Sequence, residues 1–163
     1  DMLTAIILPP AARSNRSFTA LTIDAREDVG IRKTFYVPKH LKHKHIDTVK
    51  YAIFDFLAGK NDITNRFYMY SSSLDEKQDT ALAIYKDCKD EQAKEYVKKY
   101  AVSMLERYIE TERYDDFIDF INLDILSSAR LKSILQITED APVLAACVLD
   151  KLKTKDNSKK FVI

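Results

Sequence analysis

The chain is poor in glycine, with only Gly30 and Gly59 among its 163 residues. Phosphate-cradling loops need several glycines so that the backbone can approach the anion. Neither GxGxxG nor GxxxxGK[ST] can be written with Gly30 and Gly59, which excludes nucleotide binding through either loop. Few glycines also mean few tight turns, which argues against an all-β sandwich or barrel. Tryptophan is absent, and cysteine is limited to Cys88 and Cys147. These are too few for a disulfide framework and too far apart for a CxxC metal site. Their simplest reading is two reduced thiols in a cytoplasmic setting, with one disulfide between them as the alternative. Long apolar runs are missing too. Leu3 to Leu8 falls far short of the roughly 20 residues a spanning helix needs, and it lacks the basic flank of a signal peptide. No membrane partner is expected. The chain opens on Asp1 rather than Met, which reads as a fragment or a processed product.

What is present is a foldable mixture. Apolar residues make up 46% and charged residues 31%, enough to bury a core and to stay soluble, and the nine Tyr and eight Phe supply large buried areas. The net charge of +1 hides an uneven distribution. Residues 1–60 carry ten Lys/Arg against six Asp/Glu, residues 61–126 nine against fifteen, and residues 127–163 seven against four. A basic front and an acidic middle can complement each other within the fold or across a homo-oligomer.

Leu3 to Leu8 is apolar and rich in isoleucine, stops at Pro9-Pro10, and reads as a short strand, followed by a polar connector from Ala11 to Ser17. Ser17 to Ile23 and Ile31 to Val37 read as two more strands around a charged turn at Asp24 to Gly30. Such a small sheet needs a covering helix. Thr48 to Ala58 supplies it, with Val49, Ala52, Ile53, Phe56 and Leu57 on one face, Asp47 as N-cap and Gly59 as C-cap. Asn61 to Tyr70 reads as a shorter helix. Ser73 and Glu76 form a capping-box pattern that opens the next helix, which runs to about Cys88. Glu91 to Glu112 keeps helical period over five turns through Ala93, Tyr96, Val97, Tyr100, Ala101, Met104, Leu105, Tyr108 and Ile109. Tyr114 to Ile121 is a short helix, and Ser127 or Ser128 caps another from Arg130 to Ile137. A final helix spans about Ala141 to Lys153 with Pro142 in its first turn and Leu144, Ala145, Val148, Leu149 and Leu152 buried, leaving a polar tail. Short connections between helices force antiparallel neighbours. The expected fold is α+β and mostly helical: a small N-terminal sheet packed on helices (residues 1–47 forming the β-containing segment), then a stack of antiparallel helical hairpins over 48–155 and a tail at 156–163.

The stretches "VKYAIFDFLAG", "AKEYVKKYAVSMLERYIETERYDDFIDFINLDIL" and "LKSILQITEDAPVLAACVLDKLK" give residues 49–155 a pattern of apolar spacing. In that pattern the chain resembles the ankyrin-like helical module at the C-terminal end of some bacterial leucine-rich-repeat proteins. The T-P-L-H turn of true ankyrin repeats is absent. The resemblance implies a scaffold or recognition role, carries over no catalytic residue, and places any leucine-rich repeats outside these 163 residues.

Three constellations could carry function. The first is the acidic-aromatic start of the 114–121 helix, where Tyr114, Asp115 and Asp119 would face a protein partner. The second is a basic set of Arg13, Arg16, Arg32, Lys33, Lys39, Lys42 and Lys44, near Phe35 and Tyr36, which could bind nucleic acid through phosphate contacts and stacking. Strand alternation would bury at least one of those two aromatics. The third is the histidine cluster His40, His43 and His45, which with a carboxylate such as Asp47 could hold a metal, although Lys39, Lys42 and Lys44 between them repel a cation. The acids Asp75, Glu76 and Asp79 and the acids Asp115, Asp116 and Asp119 read as solvated faces matched to helix N-termini. Cys147 reads as a small core residue. The expectation that follows is a non-enzymatic protein-binding module. Nucleic-acid binding is the first alternative and a metal-dependent enzyme the second, and no motif calls for a cofactor.

Overall fold

The computed structural model describes residues 12–25, 31–58 and 66–160. The fold is α+β and mostly helical, as the apolar periodicities require. It divides into two compact units, residues 1–97 and 98–163. The contacts therefore gather residues 48–97 with the sheet, where the change of periodicity had suggested a boundary at 47/48.

In the first unit, β1 (Ala12–Ser14), β2 (Phe18–Ala25) and β3 (Ile31–Pro38) form an antiparallel sheet in the order β1-β2-β3. The first strand lies inside what reads as a polar connector, and Leu3 to Leu8 and Gly59 fall outside the described residues. The turn from β1 to β2 is closed by Asn15, whose Oδ1 accepts from the amides of Ser17 and Phe18, both at 2.8 Å. The register sets Leu21 opposite Phe35 and Thr19 opposite Val37. That face meets α1 (Ile46–Leu57) through Val49, Ile53 and Phe56, with Phe67 completing the cluster. Phe35 is fully buried, edge-on to Phe56 at 5.3 Å and stacked on Phe67 at 5.8 Å. Of the two neighbouring aromatics, Phe35 is thus the buried one, and half-buried Tyr36 packs edge-on against Phe18.

Helix α1 starts two residues earlier than expected, straight from a 3-10 turn at His43–His45, so Asp47 lies within its first turn and caps nothing. Leu57, read as part of the buried face, is exposed. Of the helix expected over 61–70, residues 61–65 fall outside the described residues, and Phe67–Tyr70 form a 3-10 turn. Ser73 does cap α2 (Leu74–Cys88), its Oγ accepting from the Glu76 amide at 3.4 Å. Helix α3 (Glu91–Lys99) follows, opened by Asp90, whose Oδ2 accepts from the Ala93 amide at 2.9 Å while Oδ1 pairs with Arg66 at 3.1 Å. Burial pushes the Asp90 carboxyl up, but the Arg66 and Ala93 hydrogen bonds and the Arg66 charge outweigh it and hold the group below the usual carboxylate range.

The expected single helix from Glu91 to Glu112 is broken at Tyr100, and α4 (Ala101–Glu110) begins after it. No proline or glycine marks the break, and nothing in the local sequence explains it. Helix α4 pairs with α5 (Tyr114–Ile121), and α6 (Ser128–Gln136) pairs with α7 (Pro142–Lys160). In turn α4 packs on α6 and α5 on α7, so the two hairpins stack with like helices in register. The core of this unit is Met104, Leu105, Tyr108, Phe117, Phe120, Leu131, Ile134 and Val148, all with no exposed surface. Each such side chain contributes roughly 1.5–3 kcal/mol by leaving water. Helix α7 runs seven residues beyond the expected end at Lys153. Its lysines reach the α5–α6 connection: Lys151 pairs with Asp124 at 2.7 Å, and the Lys155 ammonium donates to the Leu126 carbonyl. These contacts give the polar segment a reason to stay helical.

Glycine is replaced at helix ends by charged residues. Lys89, Glu112 and Asp124 have φ of 55°, 56° and 59°. Lys89 ends α2 in the left-handed region, its amide donating to the Tyr85 carbonyl at 2.8 Å.

Phe35→Ala should cost about 3–5 kcal/mol in urea unfolding, the range for deleting a large buried aromatic. Asp90→Ala should cost about 1 kcal/mol at neutral pH. Because the folded carboxyl titrates below its unfolded counterpart, that contribution is complete above the unfolded pKa. It is lost as pH falls through the folded one, so the wild type and Asp90→Ala should converge in acid.

Candidate functional site

The descent from β3 into α1 builds a basic ledge. Pro38 ends the strand, and the next residues are pinned on both sides by backbone bonds. The Lys39 amide donates to the Ser17 carbonyl at 3.0 Å, the Lys42 amide to Tyr70 at 2.8 Å, and the Ser72 amide to His40 at 2.9 Å. Leu41 and Ser71 form an antiparallel bridge. The His45 ring stacks on Tyr70 at 4.4 Å. Lys39, Lys42, His43 and Lys44 are exposed, and so is Arg16, one residue before the Ser17 carbonyl that binds Lys39.

Two buried carboxylates of α2 fix this ledge. Glu76 Oε2 accepts from the His40 amide at 3.1 Å, and Oε1 accepts from the His40 ring Nδ1 at 2.7 Å. A carboxylate is an acceptor only, so Nδ1 carries the proton. One turn later, Asp79 Oδ2 accepts from the Ser17 hydroxyl at 2.6 Å. Glu76 and Asp79 are both buried, which corrects their reading as a solvated face; Asp75 alone of the three is exposed. The capping box is accordingly half made. Ser73 Oγ serves Glu76, but the Glu76 side chain turns to His40, and the Ser73 amide donates to Ser71 Oγ at 3.2 Å instead. The sequence reading missed this pair of ties because the partners lie 36 and 62 residues away along the chain.

The predicted basic set is only partly brought together. Lys39, Lys42 and Lys44 share the ledge with Arg16. Arg13 pairs in register with Ala20 and Arg32 with Asp24. Lys33 sits with its ammonium 5.4 Å from the ring of buried Phe35, on the core side of the sheet. The histidines do not converge: His40 is engaged by Glu76 and His45 by Tyr70. Among the described residues no three His, Cys, Asp or Glu side chains gather as a metal-holding group.

In the second unit Tyr114, Asp115 and Asp119 all lie exposed on the outer side of α5, with half-buried Ile118 between them. Asp116 is drawn away into a 2.8 Å pair with Arg113, whose guanidinium also covers the Tyr108 ring at 4.4 Å. Asp115 and Asp119 make no ion pair among the described residues. Helix α7, packed on α5, adds two exposed apolar side chains to this layer, Val143 at 73% and Leu149 at 43%, where α5 has Tyr114 at 43%. Leu149 was expected in the core. The α4/α6 layer differs: its exposed positions are polar apart from Ala129, among them Ser103, Glu106, Arg130, Lys132, Ser133 and Gln136, and none of its large apolar side chains is exposed.

Cys88 is exposed and Cys147 half-buried, and both are free thiols. Burial pushes the Cys147 thiol up, which leaves little thiolate at neutral pH. No described helix is long and apolar enough to cross a membrane. Comparison with known proteins found no matching family model, no matching curated protein and no matching solved structure.

Glu76→Ala should destabilise the first unit by about 2–4 kcal/mol in urea unfolding, because it removes the acceptor of a partly buried amide and of an imidazole at once. Ser17→Ala should cost about 1–3 kcal/mol by leaving a buried carboxylate short of a donor. His40→Ala keeps the backbone bond and removes only an exposed ring, so a cost within about 1 kcal/mol is expected. Equal losses for Glu76→Ala and His40→Ala would show that the backbone bond contributes nothing.

Proposed function

We propose that this chain is a protein-binding or scaffolding module whose α5/α7 layer is the contact surface. The observation that carries the reading is the asymmetry of the hairpin stack. Every exposed large apolar side chain among the described residues of the second unit, Tyr114, Val143 and Leu149, belongs to α5 or α7. A folded domain gains nothing internally from apolar side chains in water, and their confinement to one layer of this unit supports an interaction face there. Tyrosine is a favoured anchor, since it buries a large rigid ring and keeps a polar tip. Asp115 and Asp119 would set the charge of the partner. The ankyrin-like resemblance supports the same role, because stacked hairpins commonly bind through one face of the stack. The two free thiols fit a reducing, cytoplasmic setting.

The nucleic-acid alternative rests on the ledge alone. Lys33 is turned to the core side and Phe35 is buried, so the basic set and the aromatic pair are both divided. The metal-enzyme alternative has one His–Glu pair to draw on.

A photo-crosslinking residue placed at position 143 should capture a protein partner in the native host, while the same probe at position 132, on α6, should not. Tyr114→Ala should lower that capture by about tenfold with an unchanged circular dichroism spectrum. Equal capture by both probes would end the assignment to this layer.

A further inference from the structure

We propose that the partner of the α5/α7 layer is the basic ledge of a second copy of this chain, giving head-to-tail self-association; this rests on the protein-binding reading above. The two surfaces are complementary in three respects. Their charges are opposite: Lys39, Lys42 and Lys44 on the ledge against Asp115, Asp119 and Asp150 on the layer, all exposed. Lys42, Lys44, Asp115 and Asp119 make no ion pair among the described residues, so each side retains a charge that an oppositely charged surface can meet. Both carry exposed apolar side chains among those charges. On the ledge these are Ile46, at the start of α1, and Leu74, 58% exposed at the start of α2. On the layer they are Tyr114, Val143 and Leu149.

The ledge is also fixed in place. Its backbone is bonded to Ser17, Tyr70 and Glu76, so little freedom is lost when it is covered. Exposed Asp47 and Asp75 lie at its margins and moderate the charge. A contact between unlike surfaces of identical chains is heterologous, so a joined pair keeps one free ledge and one free layer, and growth proceeds to a ring or a short filament. Exposed ion pairs are worth little singly and are screened by salt. The association is therefore weak and strongly dependent on ionic strength.

Sedimentation velocity over a concentration series tests this. The wild type should form species larger than a monomer in low salt and revert in high salt. Lys42→Glu with Lys44→Glu should weaken association about tenfold or more, as should Asp115→Lys with Asp119→Lys, each folded by circular dichroism. Mixing the two double variants should restore it, because the reversed ledge of one then meets the reversed layer of the other and the native surfaces meet as well. A wild type that stays monomeric in low salt, or a mixture that associates no better than its components, overturns the proposal. So does a ledge that binds a single-stranded oligonucleotide and loses it on charge reversal while the chain remains monomeric. If the chain is monomeric but the probe at position 143 still captures another protein, only the self-partner fails; if both results are negative, the protein-binding reading fails with it.

Discussion

Two carboxylates buried one turn apart on a helix organise the first unit. A carboxylate taken from water is costly unless donors reach it, and His40 and Ser17 donate hydrogen bonds to the oxygens of Glu76 and Asp79. That demand works in both directions. It seats α2 against the beginning of β2 and the end of β3, and it fixes the polypeptide between Pro38 and Ile46 in one path. The lysines of that path are displayed because the backbone beneath them is tied down from inside. A purely apolar contact would leave the same segment free to slide, since hydrophobic burial is not directional.

Much of the helical half was legible because its information is local. Tyr114 to Ile121 was bounded correctly at both ends by an acidic first turn and a compact apolar run, and Ser127 caps the Arg130 amide as its position implied. The second unit's core residues follow from period alone. What was hidden is non-local. Glu76 has a complete local explanation as half of a capping box, and only the arrival of His40 replaces it. Asp79 carries no sequence mark that distinguishes it from solvated Asp75. Two local signals were there to be used and were passed over. Asp90 stands three residues before Ala93 at the head of an amphipathic run, an N-cap spacing. Leu144, Val148 and Leu152 repeat at four-residue spacing along one row of the last helix, and Leu149 lies off that row.

The candidate interaction face was half legible. Tyr114, Asp115 and Asp119 were identifiable from the acidic turn, but their significance comes from α7, which lies beside α5 only in three dimensions and brings Val143 and Leu149 to the same layer. The charge asymmetry visible along the sequence acquires an address in the same way. The excess of base in residues 1–60 includes the ledge, and the excess of acid in residues 61–126 includes α5. Both addresses are surfaces, one fixed by hydrogen bonds and one by packing.

The left-handed Lys89, Glu112 and Asp124 have a meaning beyond the turns they make. Each side chain with a Cβ in that conformation costs the folded chain about 1–2 kcal/mol. The same Cβ also narrows what the unfolded chain can explore, where glycine would roam widely. A protein built this way carries small local strains in its native state and gives up less disorder on folding. Its resistance to unfolding is therefore set partly by the stiffness of the random chain, a quantity that no contact in the folded molecule records.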